Sequence, residues 1–165
     1  MIVYHGSIFR VESPLVNIGR PLLDFGPGFY VTELMQQAVS WGCRPLNDGK
    51  RHYLNIYDLD VEGLKSAGVG YLKFPEYSGD WLDFVVSNRK GGNMWKSYSV
   101  IEGGIANDHV FNTVELYSDE LITKNEALDR LKYEKPNHQI CINRQDVLDK
   151  FLFLVECRDI DVYGK

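Results

Sequence analysis

At 165 residues, 44% hydrophobic and 13% aromatic, the chain carries enough apolar material to build one core without disulfides or metal, and no long disordered stretch is expected. Its formal charge of -5 excludes a surface built to coat nucleic acid, which needs clustered Lys and Arg. No apolar run approaches the roughly 20 residues that span a bilayer, and the opening Met-Ile-Val-Tyr-His-Gly-Ser lacks a basic stretch and a small-residue cleavage site, so a cytoplasmic address is expected.

Residues 2 to 4 read as a short opening strand, and the prolines and glycines of residues 13 to 27 mark a long loop. Residues 29 to 31 read as a second strand. Thr32 suits the cap of a helix with Glu33 in its first turn, and Leu34, Ala38 and Trp41 recur at helical spacing until Gly42 and Pro45 stop it. Residues 53 to 59 form a strand, followed by an irregular region around Gly63, Gly68 and Gly70. Helical spacing returns at Trp81, Phe84 and Val85. A strand over residues 100 to 105 leads to Asn107 and Asp108, either of which suits the cap of a helix that buries Val110, Val114 and Tyr117. Thr123 and Glu126 make a capping box for a helix with Ala127, Leu128 and Leu131 inside, and Pro136 closes its exit. Residues 139 to 142 form a strand, Asn143 suits the cap of a helix facing inward through Val147, Leu148 and Phe151, and residues 153 to 158 make the last strand. This irregular alternation points to an α+β class, a modest sheet with helices around it, with residues 1–165 as one domain free of repeats and linkers.

Several chemistries fail on spacing. Cys43, Cys141 and Cys157 form no CxxC pair and are expected to be buried, reduced thiols. His5, His52, His109 and His138 never fall in an HExxH, and no Cys/His cluster has zinc-ligand spacing, so no metal is expected. The glycines before Lys50 miss phosphate-loop spacing, and Arg51 stands where a hydroxyl residue would hold magnesium. No GxSxG elbow occurs. The basic runs 44–51 and 89–96 are short and contain glycine, and read as solvated loops.

Three pieces are left over, each on or beside a strand: Tyr4-His5-Gly6-Ser7, the turn and strand from Asp24 through Gly26, Pro27, Gly28, Phe29 and Tyr30 to Thr32, and Asn137-His138-Gln139-Ile140-Cys141. The trio resembles the histidine, tyrosine and acid-or-amide triad of the diphtheria-toxin-like branch of ADP-ribosyltransferases. More closely, the chain resembles the bacterial domain-of-unknown-function family 3990, with YHGS, DFGxGFYxT followed by QAxxW (Gln37, Ala38 and Trp41), GxxAND (Gly103 to Asp108) and a late Gln on a strand.

The resemblance implies an ADP-ribosyltransferase-like split β-sheet core with surrounding helices, and NAD as co-substrate. Cleaving the bond between nicotinamide and ribose passes through an oxocarbenium-like state, so binding geometry and charge stabilisation matter more than a strong base. By that analogy His5 holds a ribose hydroxyl, the backbone of Gly6 receives the nicotinamide amide, Tyr30 stacks on the nicotinamide ring and Gln139 completes the catalytic set. The implied NAD-binding set extends to Ser7, Arg20, Gly28, Phe29 and Thr32. Gln139 departs from the glutamate frequent in that branch: it can hydrogen-bond a ribose hydroxyl but cannot take a proton. Glu102 and Asp108 are the other carboxylates that could supply a base. The expected activity is mono-ADP-ribosylation of a macromolecule, protein rather than nucleic acid, by the toxin of a bacterial toxin and antitoxin pair, with the antitoxin protein as a further partner. The alternatives are an NAD glycohydrolase or RNA phosphate-processing relative on the same fold, and a non-catalytic NAD or ADP-ribose binding module.

Overall fold

The computed structural model describes residues 1–106 and 108–160. Their order is β1 (Ile2–Ser7), β2 (Phe29–Val31), α1 (Met35–Gly42), β3 (Tyr53–Leu59), α2 (Val61–Ser66), β4 (Tyr71–Lys73), α3 (Gly79–Arg89), β5 (Val100–Gly104), α4 (Asp108–Ser118), α5 (Lys124–Leu131), β6 (His138–Ile142), α6 (Gln145–Phe151) and β7 (Leu152–Asp159). The class is mixed α+β. One antiparallel sheet has the order β1-β3-β7; the other, β2-β6-β5-β4, is mixed because β4 runs parallel to β5. Among the described residues the two sheets are joined by one bridge, Tyr4 with Thr32.

Side-chain alternation gives each sheet two employed faces. Phe29, Val31, Ile140, Ile142 and Val100 point from the second sheet into a core shared with Val3, Tyr57 and Leu59 of the first, closed by Leu64 of α2 and Val147, Leu148 and Phe151 of α6. The opposite face of the second sheet, through Ile101 and Cys141, packs on Phe25, on Trp81, Leu82, Phe84 and Val85 of α3, on Val110 and Val114 of α4, and on Ala127 and Leu131 of α5. Fully burying an aliphatic or aromatic side chain of this size contributes about 1.5–3 kcal/mol, so these two clusters carry the fold. A third, small cluster seats Ala38 of α1 on Leu54 and Ile56.

Several sequence expectations change. The opening strand continues to Ser7. Thr32 caps no helix, because its hydroxyl donates to the His138 carbonyl and accepts from Leu34 N–H, so α1 starts at Met35. Of the three residues expected to face inward from α1, Ala38 is buried while Leu34 and Trp41 are 46% and 45% exposed. The region expected to be irregular holds α2, capped by Asp60 accepting from Gly63 N–H, and β4. Asn143 caps no helix either; its Oδ1 accepts from the Cys141 thiol, and Arg144 takes the N-cap position of α6. Cys141 is buried as expected, but Cys43 and Cys157 are half-buried, and all three are free thiols. The Thr123–Glu126 capping box is present. Asn107 and the side chain of Asp108 lie outside the described residues.

Candidate functional site

The seam between the sheets is short. Tyr4 N–H donates to Thr32 O at 2.8 Å and Thr32 N–H to Tyr4 O at 3.0 Å. Successive residues of a strand turn their N–H and C=O to opposite edges, so Gly6, two residues beyond Tyr4, turns both groups to the edge that faces β2. Tyr30, two residues before Thr32, turns its own toward β1 for the same reason. An unbroken ladder would join Gly6 to Tyr30. Instead His5 Nδ1 lies 2.8 Å from the Tyr30 carbonyl oxygen.

A carbonyl only accepts, so Nδ1 carries the hydrogen and Nε2 keeps a lone pair. Burial lowers the His5 pKa below its ordinary 6.5 against the raising effect of the Tyr30 carbonyl, which keeps the ring neutral at pH 7. Its orientation is fixed on the other side by Phe29, whose ring centroid lies 4.6 Å away. The result is a held imidazole with one acceptor nitrogen, beside the backbone donor and acceptor of Gly6.

Tyr30 meets His5 through its carbonyl rather than its ring. Its side chain lies on the other face of β2, among the Phe25 and Cys141 cluster. The hydroxyl donates to Gly26 O at 2.5 Å and accepts from Phe25 N–H at 3.3 Å. Burial first, and Cys141 second, hold the phenol well above its ordinary pKa. The residue as a whole is half-buried. The turn it anchors is fixed by α3: Arg89 Nε bonds Asp24 Oδ1 at 2.7 Å, and Asn88 Nδ2 donates to Asp24 O at 2.9 Å. Nothing in the sequence pattern marked Arg89 for that task.

Two glycines here are required by close approach. Gly26 has φ +80 and lies under the Trp95 ring. At Gly28 a Cβ would come within 2.6 Å of Cys141 Sγ and 2.7 Å of both Asn143 Oδ1 and Ile142 O, so β6 leaves it no room. Gly6 is covered in the same way by α1, since a Cβ there would overlap the Ala38 carbonyl.

Gln139 is half-buried on β6, opposite Gly103. It shares a face with Cys141 and therefore with the Tyr30 side chain. Glu102 stands opposite Ile140, so it points to the other face. There Lys73 Nζ donates to its Oε1 at 2.7 Å and the Tyr71 hydroxyl to its Oε2 at 2.6 Å. Both oxygens are engaged, and His138 Nδ1 adds a contact at 3.9 Å. Glu102 does not reach the place Gln139 occupies. Ser7 is half-buried at the end of β1, Thr32 is buried at the seam, and Arg20 is exposed on the loop before β2.

A family model described as a protein of unknown function, DUF3990, matches residues 1–153. The chain belongs to this family. No curated protein and no solved structure matches it. The DUF3990 match takes in β1, β2 and β6, and with them every residue of the seam.

Two surface hollows lie elsewhere: one of about 290 Å³ between Tyr77, Leu131 and Pro136, the other of about 470 Å³ between Met1, Asp60 and Phe153. Neither is lined by His5, Tyr30 or Gln139. The seam carries the candidate site of this DUF3990 chain because the motif residues His5, Gly6 and Tyr30 bring hydrogen-bonding groups together there. Among the described residues no group of three or more His, Cys, Asp or Glu comes together as a metal site, and no helix is long and apolar enough to cross a membrane.

Proposed function

We propose that this chain binds NAD at the seam between β1 and β2 and transfers its ADP-ribose to a macromolecular acceptor, on a split-sheet core of the ADP-ribosyltransferase type. The observation that carries the reading is the interrupted ladder. Because His5 takes the Tyr30 carbonyl, Gly6 turns one donor and one acceptor to the gap on the same edge, the complement of a primary carboxamide such as that of nicotinamide. The adjacent His5 Nε2, left with its lone pair, suits a ribose hydroxyl as donor.

Bound there, NAD supplies a glycosidic bond whose cleavage develops positive charge on the ribose. The chain's part is to hold both ends of that bond. Gly6 fixes the leaving amide, His5 orients the ribose, and Tyr30 with Gln139, on one face of the sheet, bounds the other side. Gln139 can orient a hydroxyl but takes no proton, so the acceptor must be nucleophilic without help from that position. The charge of -5 favours a protein acceptor over nucleic acid. The family resemblance adds the role of a toxin whose partner is an antitoxin protein.

Gln139 also favours a second reading, a binding module or slow NAD hydrolase. Incubating the purified protein with labelled NAD and cell lysate separates them. Label on a protease-sensitive band supports protein transfer, and label on a nuclease-sensitive band moves the acceptor to nucleic acid. Free ADP-ribose alone means hydrolysis. Calorimetric NAD binding without nicotinamide release means a binding module, and no NAD binding removes the proposal.

A further inference from the structure

Arg20 and Arg44 each follow a glycine packed against one strand of the seam. Arg44 follows Gly42, whose Cβ position lies 3.2 Å from Ser7 N at the end of β1. Arg20 follows Gly19, whose Cβ position lies 3.3 Å from Gly28 O at the start of β2. The Arg44 guanidinium sits 5.0 Å from the Trp41 ring centroid, which fixes its plane, and its Nε is buried without a hydrogen-bond partner. The two guanidiniums are near enough to repel: burial first, and Arg20 second, lower the Arg44 pKa from its ordinary value. Arg10, Arg89, Arg144 and Arg158 each pair with a carboxylate. Among the described residues Arg20 and Arg44 do not, nor do Arg51 and Arg130, but of these only Arg44 is drawn against another arginine, Arg20.

Like charges drawn together without a counter-charge destabilise the folded chain unless an anion bridges them. A guanidinium's planar fork matches phosphate oxygens two at a time. We propose that Arg20 and Arg44 clamp the pyrophosphate of a dinucleotide whose nicotinamide end lies at Gly6, which would make the site selective for NAD over nicotinamide nucleosides. This rests on the NAD reading above and gives it a substrate class: the dinucleotide is held by its phosphates as well as its amide. Trp41 acts as a positioning residue for Arg44.

The test is calorimetric titration of the full chain and of Arg20→Gln and Arg44→Gln with NAD, nicotinamide riboside and inorganic pyrophosphate. Each variant is expected to lose roughly tenfold or more in NAD affinity, the scale of one charge-assisted contact. Pyrophosphate binding should fall in parallel and nicotinamide riboside binding should not change. Arg20→Gln should melt no lower than the parent, since it relieves repulsion; its exposed position keeps the test valid even if Arg44→Gln folds poorly. NAD bound equally by the parent and by folded Arg20→Gln sinks the clamp and leaves the NAD reading standing. Arg-dependent pyrophosphate binding that NAD does not compete supports an anion clamp and sinks the NAD reading. Binding of neither ligand to the parent overturns both.

Discussion

His5 Nδ1 lies 2.8 Å from the backbone oxygen of Tyr30, in the position where a continuing antiparallel ladder would have put the N–H of Gly6. That substitution of a side-chain donor for a main-chain one splits the sheet. It also assigns the tautomer, since only an Nδ1–H can satisfy a carbonyl. A fixed histidine tautomer and a glycine left unpaired on its β2 side are therefore two consequences of one contact.

His5→Asn tests it. The asparagine side chain presents an N–H near the place of Nδ1–H, so contact with Tyr30 survives while the Nε2 acceptor and the titration disappear. Because burial lowers the folded pKa below 6.5, the unfolded chain takes up the proton first as pH falls. The parent therefore has this contribution in full above 6.5 and loses it as pH falls through the lowered value. Urea midpoints at pH 7 and about pH 5 should fall further in the parent than in His5→Asn, and NAD binding should weaken in the variant. Equal acid sensitivity would mean that another group carries the titration.

Tyr30→Phe and Tyr30→Ala separate anchoring from stacking. The hydroxyl serves Gly26 O and Phe25 N–H inside the turn, so its removal leaves buried groups unsatisfied at a cost of about 1–3 kcal/mol. The ring is kept, and NAD affinity should change little. Tyr30→Ala should lose NAD affinity by on the order of 1 kcal/mol or more as well as stability. If Phe and Ala bind NAD alike, by calorimetry on folded protein, the ring has no part in the site.

Gly6→Ala should be more damaging than Gly28→Ala. At Gly28 a Cβ meets the Cys141 and Asn143 side chains, which can give way in part, besides the Ile142 carbonyl; overpacking of this kind costs about 1–3 kcal/mol. At Gly6 it meets the Ala38 and Gly42 backbone, which cannot rotate aside, so α1 must leave β1. Thermal melts of the two variants give the order. A Gly6→Ala protein as stable as the parent would place α1 elsewhere.

Much of the frame was legible because it depends on local signals. β3 covers residues 53 to 59 as the sequence indicates, and the Thr123–Glu126 pair closes its capping box. The misplaced helix starts share one cause: Thr32 and Asn143 have good capping side chains, but other hydrogen bonds take them, Thr32 with the distant His138 carbonyl and Asn143 with the thiol of Cys141 two residues before it. The helix from Val61 to Ser66 was hidden by Gly63, a poor helix former whose N–H the Asp60 cap captures. At the site, the sequence motifs named His5, Gly6, Tyr30 and Gln139. What joins the first three, a side chain replacing a ladder bond, depends on strand pairing across 25 residues and leaves no mark in the pattern.

Gln139→Glu asks whether the amide limits the chemistry. Position 139 is half-buried and opposite a glycine, so a carboxylate there retains access to water and should cost little stability. It would face the side of the sheet that carries Tyr30, and a fixed negative charge beside a developing oxocarbenium lowers the barrier while an amide dipole does less. Glu102 cannot already be filling that role, since it points to the other face with both oxygens engaged by Lys73 and Tyr71. Nicotinamide release from NAD should therefore rise by on the order of tenfold or more in Gln139→Glu with Kd for NAD nearly unchanged, and Glu102→Gln should leave the rate of release alone. If Gln139→Glu leaves the rate where it was while Glu102→Gln abolishes it, the reacting bond lies on the Glu102 face of the sheet, and the site must be moved there.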